Sequence, residues 1–343
     1  MADPKGHLAT SPWQMRGPAW KDIVKRTYVR TWDDNVGLVA AGVAFYGFFA
    51  LLSLLGLIVL VYGFVADPLT VVEHMRTLIG ILPSDVILLI GDQLMTAVHS
   101  SQGTKGFGVL IAVAVALYGG TNGAASLLTA LNIAYEEKEK RSLARFYLQA
   151  VALTVAALIL ALAGLGATAA VAYLQKVLPK ATPTALLVGK AGGYLALTLA
   201  AAAVAATLYR YGPSREDARW KWITPGSLLA AGTWLLLTLA FGFYLANLAN
   251  YSASYGSLGA VVALLTWLYL SAYVFVVGAE LNSEIEHQTA KDSTTGPPEP
   301  LGARGAWAAD NVAMTDEVED RPEEAREGER LTAAAPEIAE EKG

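Results

Sequence analysis

Long apolar stretches alternate with short polar ones over the first 287 residues. The longest runs from Val36 to Val65 without a charged residue. Thirty residues at about 1.5 Å each cover about 45 Å, more than the roughly 30 Å hydrocarbon core of a bilayer. Five more stretches read the same way, at about 107–122, 143–174, 186–209, 223–247 and 256–279. The pattern predicts an all-α polytopic membrane protein with six transmembrane helices.

The polar intervals add shorter elements. Residues 19–32 place Trp20, Ile23, Val24, Thr27, Tyr28, Thr31 and Trp32 at spacings of three and four, with Lys21, Lys25, Arg26 and Arg30 on the other side. This predicts an amphipathic helix at the membrane interface, its basic face toward the headgroups; a soluble helix is the alternative. Between the first two spans, 69–82 and 85–98 carry helical apolar spacing broken by Glu73, His74, Arg76 and Asp92. Pro68 and Pro83 stand where first-turn prolines belong. Both pieces are too short to span and read as amphipathic helices on the far face. Residues 1–18, with Pro4, Gly6, Pro12, Gly17 and Pro18, read as a flexible cytoplasmic arm. Residues 288–343 are rich in Pro, Gly, Ala and Glu, and read as a disordered acidic C-terminal tail. The membrane domain is therefore 19–287.

Charge orients the spans. Lys and Arg number six in 1–35, four in 136–145 and four in 210–222; the other side has two in 66–106, three in 176–190 and none in 248–255. Fourteen against five places both termini in the cytoplasm by the positive-inside rule. Trp20, Trp32, Tyr209, Tyr211, Trp220 and Trp222 cluster at that boundary as an aromatic belt.

Composition agrees: 54% of residues are hydrophobic and 16% charged, against about 25% charged in soluble domains. The net charge of −5 is concentrated in the tail, where Asp310 to the end holds twelve acidic and four basic residues. With no cysteine, thiolate and disulfide chemistry are excluded. The four histidines are scattered, and no His/Asp cluster fits a nuclease zinc pair. Gly164-Leu-Gly166 lies inside a span, and Gly103-Thr-Lys-Gly106 lacks phosphate-loop spacing. No basic surface is large enough to track nucleic acid. The chain is expected to be no enzyme, to bind no cofactor, metal or nucleic acid, and to have the lipid bilayer as its partner. The sequence carries no signal for an oligomeric state.

Several short motifs occur in a specific order: Asp34-Asn35 with Ala40-Ala-Gly-Val-Ala-Phe-Tyr46; Leu208-Tyr-Arg210 with Pro213; Trp222 with Pro225-Gly226; Tyr251 with Tyr255-Gly-Ser-Leu-Gly259; Trp267-Leu-Tyr269; and Gly278-Ala-Glu-Leu-Asn282. In this order the chain resembles the YihY/virulence factor BrkB family of bacterial inner-membrane proteins over about residues 20–287. The resemblance implies six helices with both termini cytoplasmic. It also implies membership of a group once labelled ribonuclease BN and discussed as transporters or envelope factors.

Polar residues at span ends are the candidate site. Asp33, Asp34 and Asn35 open the first span, as helix caps or as a carboxylate pair at a vestibule. Glu280 and Asn282 close the last, either in interfacial water or turned into the bundle. Arg210 and Arg215 of the basic loop are the expected partners, so these segments are predicted to meet at one cytoplasmic mouth. Tyr46, Asn122 and Asn132 are candidate intramembrane polar groups, serving as interhelical glue or as a substrate path. Gly119–Gly123 beside Asn122 would be a helix break in a transporter. Tyr251 and Tyr255 are candidates on the outer face, or belt residues. The expected function is a transporter or lipid-translocating protein for a lipid or small-molecule substrate; a scaffold or envelope assembly factor is the alternative, and ribonuclease activity is not expected.

Overall fold

The computed structural model describes residues 5–65, 102–177, 183–247 and 257–313. The expected amphipathic helices at 69–82 and 85–98, the candidates Tyr251 and Tyr255, and the tail beyond 313 lie outside them. Among the described residues the chain is all-helical, with no strand. A one-turn 3-10 helix, Pro12–Gln14, precedes α1 (Gly17–Asp33) and α2 (Val36–Val65). Then follow α3 (Gln102–Ala134), α4 (Leu143–Val177), α5 (Pro183–Tyr211), α6 (Trp220–Asn247), α7 (Ser257–His287) and the single turn α8 (Trp307–Asp310). Five of these, α2, α4, α5, α6 and α7, are long and apolar enough to cross a membrane. The remaining long helix, α3, carries the interval 107–122 and runs unbroken for 33 residues.

The long helices pack in a series, α4 on α3, α3 on α2, α2 on α7, α7 on α6 and α6 on α5. Glycines set the closest approaches. A Cβ on Gly119 would meet Ser53 Oγ of α2 at 2.7 Å, and one on Gly123 would meet the Ala50 Cβ at 3.4 Å. Gly120 faces Thr154 of α4. The Gly119–Gly123 run is thus a packing face inside a continuous helix, not a break, because small residues let backbones close in lipid. At the α6–α7 crossing Gly226 lies against the Gly278 carbonyl, and a Cβ on Gly278 would meet Tyr209 Oη at 2.6 Å.

The core sits toward one end of the helices. One cluster joins Val36, Leu131, Tyr135, Tyr209, Ile223 and Val276. A second joins Ala9, Met15, Ile23, Trp222, Leu281 and Ile285. Residues 5–18 are therefore not a loose arm: Ala9 and Met15 are core residues. Nor is the tail loose up to 313. Thr289 Oγ1 donates to the Ala9 carbonyl at 2.7 Å, Arg219 N donates to Ser293 O at 2.9 Å, and Glu216 N donates to Gly305 O at 3.2 Å. The Arg304 guanidinium donates to the carbonyls of Ala290, Glu299 and Ala309. Backbone hydrogen bonding orders a segment whose composition lacks the apolar content for a core of its own.

Candidate functional site

α1 and α2 are joined by an elbow at Asp34-Asn35. Asp34 is the C-cap residue of α1, its N–H bonded to Arg30 O. Asn35 adopts a left-handed φ of 50°, a conformation that asparagine tolerates better than most residues. Its carbonyl accepts from Leu38 N and Val39 N and so starts α2, while its side chain donates to Asp33 O at 3.1 Å. The three residues therefore form a hinge between helices. A cap of α2 by carboxylate side chains, the simpler expectation, is not what the elbow uses.

Against the elbow lies the end of α7. Glu280, Asn282, Glu284 and Glu286 are all buried there. Asn282 has a defined structural task. Pro225 lies inside α6, and Asn282 clasps the turn around it: its Oδ1 accepts from Gly226 N at 2.8 Å and its Nδ2 donates to Ile223 O at 2.9 Å. Glu286 accepts two bonds from Arg215 Nη2, at 2.8 and 2.9 Å, with both side chains fully buried. Ser293 Oγ adds a third at 2.7 Å, and the Tyr135 ring stacks 4.7 Å from the guanidinium. Burial works against the Arg215 charge, but Glu286, together with Tyr135 and Glu137, holds the group above its ordinary value.

Glu284 anchors α1. Arg26 Nε donates to Glu284 Oε2 at 2.5 Å and its Nη2 donates to Gln288 Oε1 at 2.7 Å. Arg30 pairs with Glu136 and lies 3.6 Å from Glu284. The basic residues of α1 are thus divided: Arg26 and Arg30 turn inward to carboxylates rather than out to headgroups. The exposed side of α1 mixes Lys21 and Lys25 with Val24, Tyr28 and Trp32, the last three each more than half exposed. Trp307 of the tail closes over this network, 5.5 Å from Arg30 and 5.0 Å from the His287 ring, while its N–H bonds Glu137.

Two carboxyl oxygens in this region are buried without a hydrogen bond, Glu280 Oε1 and Asp34 Oδ2. Glu280 is 2% exposed. Burial first, then the charge of Glu136, pushes the Asp34 carboxyl above the ordinary aspartate value, against the pull of Arg30.

The other candidates lie apart. Arg210 stays in its own loop, donating to Ala218 O at 2.7 Å and stacking 4.8 Å from Trp220. Asn132 ties a turn, donating to Glu139 at 2.9 Å and accepting from Ser214 N at 2.7 Å, so it is not glue between spans in lipid. Tyr46 is 44% exposed on α2, and Asn122 is half-buried on α3. An open groove of about 500 Å³ runs along the elbow, lined by Thr31, Trp32, Asn35, Gly37, Leu38, Tyr269, Leu270 and Tyr273. Neither Asn122 nor Glu280 lines it.

Sequence reasoning missed Arg26, Arg30, Glu136, Glu284 and Glu286 as members of the charged end. The signal was present: Glu280, Glu284 and Glu286 continue the helical pattern of the last span, and three carboxylates on one helix end require cations from elsewhere.

Known proteins resemble this chain in sequence. The ribonuclease-like protein YfkH of Bacillus subtilis (strain 168) is 28% identical over 239 residues, 65% of this chain and 86% of that protein. A UPF0761 membrane protein of Delftia acidovorans is 27% identical over 268 residues, 76% of this chain. A UPF0761 membrane protein of Alkalilimnicola ehrlichii is 45% identical over 60 residues. The chain spans 61% of the length of the Delftia protein and 14% of the Alkalilimnicola one. No solved structure matches. The model of the family "Virulence factor BrkB" matches residues 27–301, from the charged face of α1 to the ordered tail. The chain is a multi-pass membrane protein and belongs to the virulence factor BrkB family.

Proposed function

We propose that this protein crosses the bacterial inner membrane six times, with both termini in the cytoplasm, and transports or translocates a lipid-like substrate. In this reading α3 is the sixth span: its 33 residues cover about 50 Å. The excess of Lys and Arg in 1–35, 136–145 and 210–222 supports the orientation. The protein is not an enzyme in this reading; the ribonuclease-like name belongs to the Bacillus relative.

The groove at the elbow carries the reading. Its lining combines polar Thr31 and Asn35, the rings of Trp32, Tyr269 and Tyr273, and apolar Leu38 and Leu270. That mixture suits an amphipathic molecule such as a lipid headgroup with its first methylenes, and about 500 Å³ falls in the range of ligand sites. The test is reconstitution of the full chain in liposomes with a fluorescent phospholipid and a membrane-impermeant quencher. Wild type is expected to move lipid between leaflets, and Gly37→Leu, which fills the groove beside Tyr269, to slow it several-fold.

A scaffold or envelope assembly factor is the second reading. It is favoured by the structural use of Asn132, Arg215 and Asn282, each of which is tied to other groups of the protein. Flux equal to protein-free liposomes in both wild type and Gly37→Leu decides for it.

A further inference from the structure

Four carboxyl groups crowd the junction of α1, α2, α3 and α7: Asp34, Glu136, Glu280 and Glu284. Two guanidinium groups answer them. Arg26 is held by Glu284 and Gln288, and Arg30 is divided between Glu136 and Glu284. His287 Nδ1 lies 3.4 Å from Glu284. Asp33 acts on Asp34, and Tyr135 lies within electrostatic reach of Glu280. Of the charges around Glu280, that of Asp34 acts most strongly, ahead of Glu284, Arg30 and Glu136.

The unmet oxygens are in this same place. Glu280 Oε1 and Asp34 Oδ2 are both buried with no donor, and both arginines are committed elsewhere. A buried carboxylate without a compensating donor is strongly disfavoured, and a like charge beside it adds to the cost. Something must neutralise one of the two. Among the described residues no group of three His, Cys, Asp or Glu could hold a metal ion. A proton needs no further ligands and no added space.

We propose that Asp34 and Glu280 form a carboxyl pair that binds one exchangeable proton. The pair sits one residue from the groove, because Asn35 lines it and Asp34 precedes it. The inference rests on the transport reading for its use: in a transporter, this pair is the site of the coupling ion, and its protonation acts at the elbow that shapes the groove. One carboxyl is then an acid and the other a carboxylate, so the local negative charge falls by one on protonation and is restored on release of the proton to water through the half-buried Asp34.

The experiment is infrared difference spectroscopy of the full chain in lipid nanodiscs, titrated around pH 7, where an ordinary glutamate of pKa about 4.3 is ionised. Wild type is expected to show the C=O stretch of a protonated carboxyl, shifted in D2O. Glu280→Gln removes that band. Asp34→Asn removes a like charge from Glu280 and moves the midpoint of the band lower by about one pH unit; this variant carries the test if Glu280→Gln does not fold. Asp22→Asn, in the partly exposed pair with Lys5, leaves the band unchanged. The proposal fails if wild type lacks the band near neutrality, if the band and its midpoint survive both variants, or if sodium abolishes it at constant pH. The spectrum does not depend on flux. A band without lipid movement keeps the proton site and removes the transport reading; lipid movement without a band does the reverse.

Discussion

From Leu258 to Leu270, α7 is apolar, and most of its described side chains are exposed or half-buried. From Ser271 to His287 the same helix is buried at most positions, although it carries Glu280, Glu284 and Glu286. In water the order would be reversed. In a bilayer the apolar half needs no cover, since lipid is as apolar as leucine. The charged half needs partners that only protein can supply. Folding effort is therefore concentrated at the charged end, where residues 5–18, residues 288–313, the 212–219 loop and the ends of several helices converge.

The sharpest way to break that comparison is to empty one partner from the fully buried pair. Arg215→Ala leaves Glu286 buried with Ser293 as its remaining donor, and a loss of about 3–5 kcal/mol is expected. Val262→Ala, on the exposed half of the same helix, should change stability by less than about 0.5 kcal/mol. Thermal unfolding in detergent measures both. Comparable losses would mean that the apolar half carries hidden packing and that the contrast is false.

Asn282→Ala tests the polar end without touching a charge. It removes the two bonds that clasp the turn at Pro225, those to Gly226 N and Ile223 O, at about 1–3 kcal/mol for each group left unsatisfied. Asn282→Asp keeps an acceptor for Gly226 N but buries a carboxyl against Ile223 O, so a loss at least as large as that of Asn282→Ala is expected in the same melt.

Glycine substitutions sharpen the same contrast. Gly278→Ala drives a methyl into Tyr209 Oη and the Ala230 Cβ, and overpacking of this kind costs about 1–3 kcal/mol. Gly232 and Gly242 lie on α6 with nothing within 4 Å, so alanine there should be neutral or slightly stabilising. A stable Gly278→Ala protein would show that α6 and α7 do not cross as closely as described.

The sequence was most legible where lipid is the solvent. An uncharged run such as Val36–Val65 has one stable form in a bilayer, so its helix could be read directly. It was least legible where hydrogen bonds between distant segments decide the structure. Nothing local in Thr289 or Arg304 reveals that they bind Ala9 and Ala290; such contacts depend on which segments the bundle brings to one end. The same holds for the site. Asp34 and Glu280 could be picked out as polar groups at span ends, and the structure sets them within electrostatic reach. Arg210 could equally be picked out, and it turned to Ala218 and Trp220 because its own loop offered a carbonyl and a ring nearer than any carboxylate of α7. Pairings between charges are set by three-dimensional proximity, and residue type alone does not choose among several arginines.

The smallest effect expected is also the one with the clearest sign. Glu139 lies in the turn after α3 and accepts from Arg141 Nε and Nη2, both at 2.7 Å, and from Asn132. These bonds, the Arg141 ones first, hold its carboxyl down at about 2, against about 4.3 unfolded. The folded state therefore binds this proton less readily than the unfolded state, and the stability it adds is present above about pH 4.3 and lost as the pH falls toward about 2. Asp34 has the opposite sign. Its raised carboxyl adds stability at low pH that is lost as the pH rises through its folded value. Unfolding midpoints of Glu139→Gln should fall less steeply on acidification than those of wild type. Those of Asp34→Asn should fall less steeply toward neutrality. The turn is mostly in water, where ion pairs contribute less than about 1 kcal/mol, so the Glu139 slope should be the shallower of the two. An Asp34→Asn profile that matches wild type on the neutral side would remove the elbow from the set of strained, protein-covered charges and leave Glu280 alone at the polar end.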